Sequence, residues 1–201
     1  MKQYNTKYII RSFIKNMSNI ILASSSPQRI ELLRSIIPDF DVISANIDET
    51  LLPGETAIAA TQRLAIAKAR ASHRAGASTL GVDTLGDLDG QPLGKPRDKD
   101  AAREMLFGMS GKMHTAITSW CLKTDKEEII GHDSTQVTFR LISFGEIEAY
   151  LAMHDPTKYA AGYAIQGAGR DFVEEIDGDI ETIIGLPLLQ IQTALSALRA
   201  L

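Results

Sequence analysis

Cysteine is nearly missing from this chain. Cys121 is the only one in 201 residues, so no internal disulfide can form, and the usage fits a reducing compartment such as the cytoplasm. Histidine is scarce as well: the four present are scattered, and none joins the cysteine at zinc-site spacing. No apolar run is long enough to span a bilayer, which argues against a membrane protein. The basic excess that would draw a chain to nucleic acid or to an anionic membrane is lacking too, because the formal net charge is -4. A local basic cleft stays compatible with that balance. What is present is an ordinary globular composition, 44% hydrophobic. At this length it can bury a real core, as one large domain or two small lobes.

Residues 1–16 carry Lys2, Lys7, Arg11 and Lys15 and no acid. They lack the continuous apolar segment and small-residue cleavage site of a secretory signal. The reading is either a targeting peptide or, better, a loose extension from an upstream start codon. Residues 17–201 read as a single domain.

The periodicity predicts strand Ile20–Ala23, a helix over Gln28–Ser35 entered through Ser24-Ser25-Ser26-Pro27, and a strand Phe40–Ser44. An Ala-rich helix follows over Thr56–Ala75, with Ile58, Leu64, Ile66 and Ala69 along one face, then strand Thr79–Leu85 and a Gly/Asp turn, Gly86–Gly90. Helix Asp98–Met109 comes next. Alternating Thr- and Val-bearing runs, His114–Leu122 and Asp133–Leu141, read as antiparallel strands. Ser143 with Glu146 makes a capping box for a helix over Phe144–Met153. Gly162–Gly169 is a bend, Asp171–Ile176 and Ile180–Ile184 look like strands, and Leu186–Leu201 closes the chain as a helix. Parallel-type β/α units thus precede an antiparallel part. The fold class is α/β, a curved mixed sheet flanked by helices, with two lobes around a cleft.

The most informative stretch is Gly81-Val82-Asp83-Thr84, with Gly94-Lys95-Pro96 after it. Asp83 breaks an apolar run where a strand should end, and the turn aims Lys95. An acid beside a cation at a strand mouth suits a metal–phosphate substrate; a capping Asp and a surface Lys are the plainer alternative. Ser24, Ser26 and Arg29 stand at a helix start, where free N–H groups and a guanidinium attract anions, or where a simple cap is needed. Asp48-Glu49 could hold magnesium or be a solvated turn. Lys68 reads as a solvated helix face or a phosphate ligand. His114, Trp120 and Cys121 read as structural. Gln166, in the Gly-rich bend, could read a base edge or satisfy the backbone. No Ser-His-Asp or Cys-His order stands out. Acids, lysines and an anion-binding helix start together favour metal-assisted phosphoryl chemistry.

Nine short motifs occur in a fixed order: Leu22-Ala23-Ser24-x-Ser26-Pro27-x-Arg29-x-Glu31-Leu32-Leu33; Asp48-Glu49; Arg63-Leu64-Ala65-x-x-Lys68-Ala69; Asp83-Thr84; Gly94-Lys95-Pro96; Ser110-Gly111-x-x-His114; Thr135-x-Val137-x-Phe139; Tyr163-Ala164-Ile165-Gln166-Gly167; and Gly185-Leu186-Pro187. In this order they resemble the Maf family, the septum-formation-protein-like nucleoside triphosphate pyrophosphatases, from about Asn19 to Leu201. The resemblance implies an elongated α/β fold with a deep cleft, related to the inosine-triphosphate pyrophosphatases. It implies hydrolysis of a nucleoside triphosphate to the monophosphate and pyrophosphate with a divalent cation, Mg or Mn, and a homodimer. Asp83 would be the catalytic aspartate, binding metal or orienting water. Glu49 would be a second metal or water ligand. Ser24, Arg29, Lys68 and Lys95 would hold the triphosphate.

Thr84 and Gln166 resemble the dTTP/UTP branch, in which they would offer donors and acceptors to a pyrimidine; the 7-methyl-GTP branch has Gln and Glu there. Gln28 stands where the dTTP/UTP branch has Arg, Tyr159 where the family has Lys, with Lys158 one residue earlier, and Thr182 where Asn is common. A non-catalytic nucleotide-binding regulator of cell division is the reading from a different class. The intact set of acids and lysines favours the enzyme.

Overall fold

The computed structural model describes residues 19–198. The expected arm over 1–16 lies outside them. The elements are β1 (Ile20–Ala23), α1 (Pro27–Arg34), β2 (Asp41–Val42), α2 (Ala57–Ser72), β3 (Ser78–Leu88), β4 (Gln91–Leu93), α3 (Lys99–Met109), β5 (Met113–Lys123), β6 (Glu128–Phe139), α4 (Phe144–Met153), β7 (Val173–Asp177), α5 (Ile180–Ile184) and α6 (Leu188–Ala197), with short 3-10 turns between Pro156 and Phe172. One seven-stranded sheet runs in the order β2-β1-β3-β5-β6-β7, and β4 also pairs with β3. β1 is parallel to its neighbours, and the remaining pairings are antiparallel. Among the described residues no helix is long and apolar enough to cross a membrane.

Among the described residues four apolar clusters form, two of them large. One packs Leu22, Leu33, Leu80, Trp120 and Leu122 under α1 and α6. The other packs Leu106, Met109, Phe139, Leu151 and Phe172 beneath α3 and α4. The long strands β3 and β5 join them.

The sheet register makes the cleft. β1 pairs with β3 only as far as Ala23 opposite Gly81. On the same edge of β3, β4 begins at Gly86 opposite Leu93, while β5 occupies the other edge along its length. Val82–Leu85 therefore form a stretch of strand whose β1-side edge has no neighbouring strand. This corrects the expectation that β3 ends near Asp83. The strand continues for 11 residues and Asp83 lies within it; the element that ends beside Asp83 is β1. A crevice beyond a strand's carboxyl end is the usual ligand position in such sheets.

Three further assignments change. Ile180–Ile184 is a helix rather than a strand: Asp179 caps it by accepting from Glu181 N at 3.0 Å, and Gly185 ends it with φ of 108°. Its β-branched residues suggested strand. Gly86–Gly90 belongs largely to a hairpin, β3 running on to Leu88 and returning as β4. The buried face of α2 comprises Ala57, Ala60, Thr61, Leu64, Ala65, Lys68, Ala69 and Ser72, so Ile58 points outward and Lys68 inward.

Candidate functional site

Gly81 sets the distance between α2 and β3. A Cβ there would lie 2.1 Å from the carbonyl oxygen of Ala65 and 2.5 Å from the nitrogen of Ala69, so only glycine allows this approach. Lys68 lies on the same helix face as Ala65 and Ala69. Asp83 lies two residues beyond Gly81, on the same face of the strand. The close packing thus delivers Lys68 Nζ to Asp83 Oδ1 at 2.5 Å and to Glu49 Oε1 at 3.0 Å. The Asp83 side chain is only 7% exposed, against 48% for Glu49. Burial pushes the Asp83 carboxyl above the usual carboxylate range, with the positive charges of Lys68 and Arg29 opposing the shift.

Arg29 takes an unexpected part. Its guanidinium donates from Nε to the carbonyl of Gly185 at 2.9 Å, from Nη1 to the carbonyl of Val82 at 3.2 Å and to Ser24 Oγ at 3.4 Å, and from Nη2 to Thr84 Oγ1 at 2.8 Å. Expected from the resemblance to hold the triphosphate, it spends four hydrogen bonds tying β1, β3 and α5 together and caps the open edge of β3 at Val82. One N–H, on Nη2, is left over. Burial lowers its pKa from the ordinary arginine value, and the charges of Asp83 and Glu49 resist that.

Two connected cavities fill the cleft. The outer one, of about 530 Å³, is lined by Ser24, Glu49, Lys68, Lys95, Lys158 and other residues of the loop before α1. The inner one, of about 260 Å³, is lined by Thr84, Tyr163, Ile165, Gln166, Ile183 and Ile184 among others. Ser26, Gln28, Arg29, Lys95, Lys158 and Tyr159 border both. The outer cavity has the chemistry of a polyphosphate site and the inner one that of a flat heterocycle site with an amide at its rim.

The cleft therefore gathers the predicted residues Ser24, Gln28, Arg29, Glu49, Lys68, Thr84, Lys95 and Gln166 along its walls; Asp83 reaches it through Lys68 and Glu49. Lys95 is exposed, borders both cavities, and has no ion pair among the described residues. Its turn is tied to the opposite wall by a hydrogen bond from Ala161 N to the Gly94 carbonyl at 3.0 Å. Ala161 holds a left-handed φ of 56°, a conformation costing an alanine roughly 1 kcal/mol, which the buried setting enforces. Lys158, weakly paired with Asp155 at 3.5 Å, faces the cleft from the same segment. Gln28 accepts from Ser26 Oγ at 3.1 Å. Among the described residues no cluster of three His, Cys, Asp or Glu side chains could hold a metal. The pair Asp83 and Glu49 fits magnesium or manganese nonetheless, because such ions need one or two carboxylates when phosphate oxygens complete the shell.

Sequence reasoning missed Thr118 and the positional roles of Gly81 and Gly185. Thr118 is fully buried opposite Thr84. Its signal was a hydroxyl inside an otherwise apolar stretch, Ala116-Ile117-Thr118. Thr84 also differs from expectation. Its hydroxyl was expected to help supply both donors and acceptors, but its hydrogen bonds within the protein leave it short of that.

A family model described as Maf-like protein matches residues 19–198. A dTTP/UTP pyrophosphatase of Chromobacterium violaceum is 41% identical over 180 residues, covering 86% of this chain and 91% of that protein. Proteins of the same name from Yersinia pseudotuberculosis and Geotalea uraniireducens are 39% and 38% identical, covering 90% and 92% of this chain and 93% and 97% of theirs. In fold, the chain is similar to a HAM1 protein from Coxiella burnetii, with TM-score 0.51 and 15% identity, covering 92% of this chain and 99% of that one. The chain belongs to the Maf-like protein family.

Proposed function

We propose that the chain is a nucleoside triphosphate pyrophosphatase for pyrimidine nucleotides of the dTTP/UTP kind, which releases pyrophosphate and leaves the monophosphate. The observation that carries this reading is the two-part cleft: an outer cavity with Lys68 locked between Asp83 and Glu49, opening into an inner cavity of base size. Relatives covering nearly the whole chain bear the name of that activity.

In the reaction, water attacks the α-phosphorus, the bond from that phosphorus to its bridging oxygen breaks, and pyrophosphate leaves with the oxygen. The water's proton passes to a carboxylate. Asp83, with its pKa raised by burial, is a stronger base than a solvated aspartate and is held in place by Lys68. Glu49, half exposed, can exchange its ion pair with Lys68 for water or metal. Lys68 and Lys95 stabilise charge that builds on the phosphoryl oxygens. Asp83 and Glu49 would hold a divalent cation, which would further neutralise that charge.

The test is a nucleotide panel assayed for pyrophosphate release with magnesium, with manganese and with chelator. Turnover of UTP and dTTP, lost with chelator, is expected. Preference for 7-methyl-GTP, or nucleotide binding without turnover, would replace this reading with one of its alternatives. The reading includes a cytoplasmic homodimer, the dimer being testable by light scattering of the purified chain.

A further inference from the structure

Hydroxyl groups have one proton and two lone pairs, so a chain of them can be followed without seeing hydrogens. Thr118 Oγ1 lies 2.7 Å from the carbonyl oxygen of Thr182, which can only accept, so the Thr118 proton goes there. The contact between Thr84 Oγ1 and Thr118 Oγ1 at 2.9 Å must then use the Thr84 proton. Arg29 Nη2 donates to Thr84 Oγ1 at 2.8 Å and takes one of its lone pairs. What Thr84 keeps for the inner cavity is a single lone pair. It can accept a hydrogen bond and cannot donate one.

We propose that Thr118 is a positioning residue for base selection: by taking the Thr84 proton it makes Thr84 an obligate acceptor, which reads the N3–H of a uracil or thymine ring and rejects cytosine, whose N3 is itself an acceptor. The inference rests on the pyrimidine triphosphate reading of the cleft and adds to it the atom that is read and the residue that sets the reading. Thr118 is buried and does not line the inner cavity, so it acts only through Thr84. The frame around the relay is rigid. Thr182 Oγ1 donates to Asp133 Oδ2 at 2.6 Å, fixing the carbonyl that ends the chain of hydroxyls, and a Cβ on Gly185 would stand 2.9 Å from Thr84 Oγ1. Two lone pairs facing one another are repulsive, and a buried group left unpaired is costly, so the rejection should be strong.

The experiment has an arm that needs no variant. Wild-type enzyme is assayed on UTP, CTP and N3-methyl-UTP, which keeps both carbonyls and carries a methyl group in place of the N3 proton. UTP is expected to exceed each of the others by at least ~10-fold in kcat/KM. The second arm compares Thr118→Val, Thr118→Ala and Thr118→Ser. Valine and alanine free the Thr84 proton, so the UTP-to-CTP ratio should fall roughly 10-fold, while serine restores it. A merely structural role would lower both rates and leave the ratio unmoved. Equal wild-type rates on UTP and N3-methyl-UTP, a wild-type preference for CTP, or an unchanged ratio in whichever of the valine and alanine variants folds would overturn the inference. Failure of the wild type on every nucleotide would overturn the function reading instead, and this inference with it.

Discussion

Lys68 in the outer cavity and Thr84 in the inner one are both polar groups that packing has drawn toward the same cleft. They are satisfied in opposite ways. Lys68 is paired to two carboxylates, at 2.5 and 3.0 Å, that a bound cation or phosphate can rearrange. Thr84 is held by neighbours that have no other arrangement open to them: a guanidinium already bonded to two carbonyls and a hydroxyl bonded to a third. The outer half stores exchangeable charge and the inner half stores fixed hydrogen-bond direction. The first should act on any triphosphate and the second on one base edge. Removing groups from each half should therefore have different signatures.

The largest effect is expected from Asp83→Asn. The amide keeps the shape and loses the charge that takes a proton or binds metal, which should cost at least ~100-fold in kcat on UTP. Burial raises the Asp83 pKa and disfavours its ionised form in the folded protein, but the substitution also takes from buried Lys68 one of its two carboxylate partners, so the variant's Tm is measured beside its turnover. The sign follows from linkage. With its folded pKa above the unfolded one, this group favours folding at low pH, and that contribution is lost as pH rises through the folded value. In the wild type the acid limb of the pH–rate profile should lie above the ordinary carboxylate range, activity falling as Asp83 takes up its proton. Near-normal turnover of the variant, measured on protein of native Tm, would remove Asp83 from catalysis.

Lys95→Ala should lower kcat/KM by roughly 10-fold on every nucleotide, since an ammonium on phosphate does not sense the base. Gln166→Glu should do the reverse: a smaller loss on 7-methyl-GTP than on UTP, because a carboxylate placed against a base carbonyl repels it. A base-selective Lys95→Ala, or a base-blind Gln166→Glu, would break the division between the two halves. Gln28→Arg is expected to raise the UTP to 7-methyl-GTP ratio by only a few-fold. The change removes the acceptor that Gln28 offers Ser26 while adding a cation on the border of both cavities.

Local signals carried much of this in the sequence. The Ser143–Glu146 capping box, the cap before α1 and the alternation in β5 and β6 each act within a few residues, and each was readable. The identity of most cleft residues was legible only as motifs in order. What could not be read was which neighbour each group would meet. Lys68 looks solvated until Gly81 lets α2 press onto β3. Arg29 looks free to bind phosphate until the end of β1 exposes the Val82 carbonyl. Asp83 looks like a strand end because the strand that stops is another one. α5 was misread because its Ile residues favour strands, although Asp179 and Gly185 mark a short helix. The misses at Lys68, Arg29 and Asp83 each involve a partner distant in sequence, which periodicity does not report, whereas at α5 a local β-propensity outweighed two local caps.

The smallest effect tests the inner half through stability. His114 lies in the wall of a small chamber, of about 20 Å³, behind the inner cavity. Its Nε2 is 2.9 Å from the Tyr163 hydroxyl, its ring packs edge-on against Phe139 at 4.7 Å, and its buried Nδ1 has no partner among the described residues. Burial pushes its pKa down to about 4. In the unfolded chain it titrates near an ordinary ~6.5, so between there and about 4 the unfolded state binds a proton that the folded state refuses. Stability is full above the unfolded pKa and declines as pH falls through this window, by ~1.4 kcal/mol for each pH unit. Between pH 7 and 5.5 the loss should be about 1–2 kcal/mol, or several degrees in Tm for a chain of this size. His114→Phe preserves the edge-on packing and removes the titration, so the variant's Tm should fall less than the wild type's over the same interval. Parallel Tm curves for the two proteins would show that His114 takes up its proton in the fold after all, and that the floor behind the base site is wetter than its packing indicates.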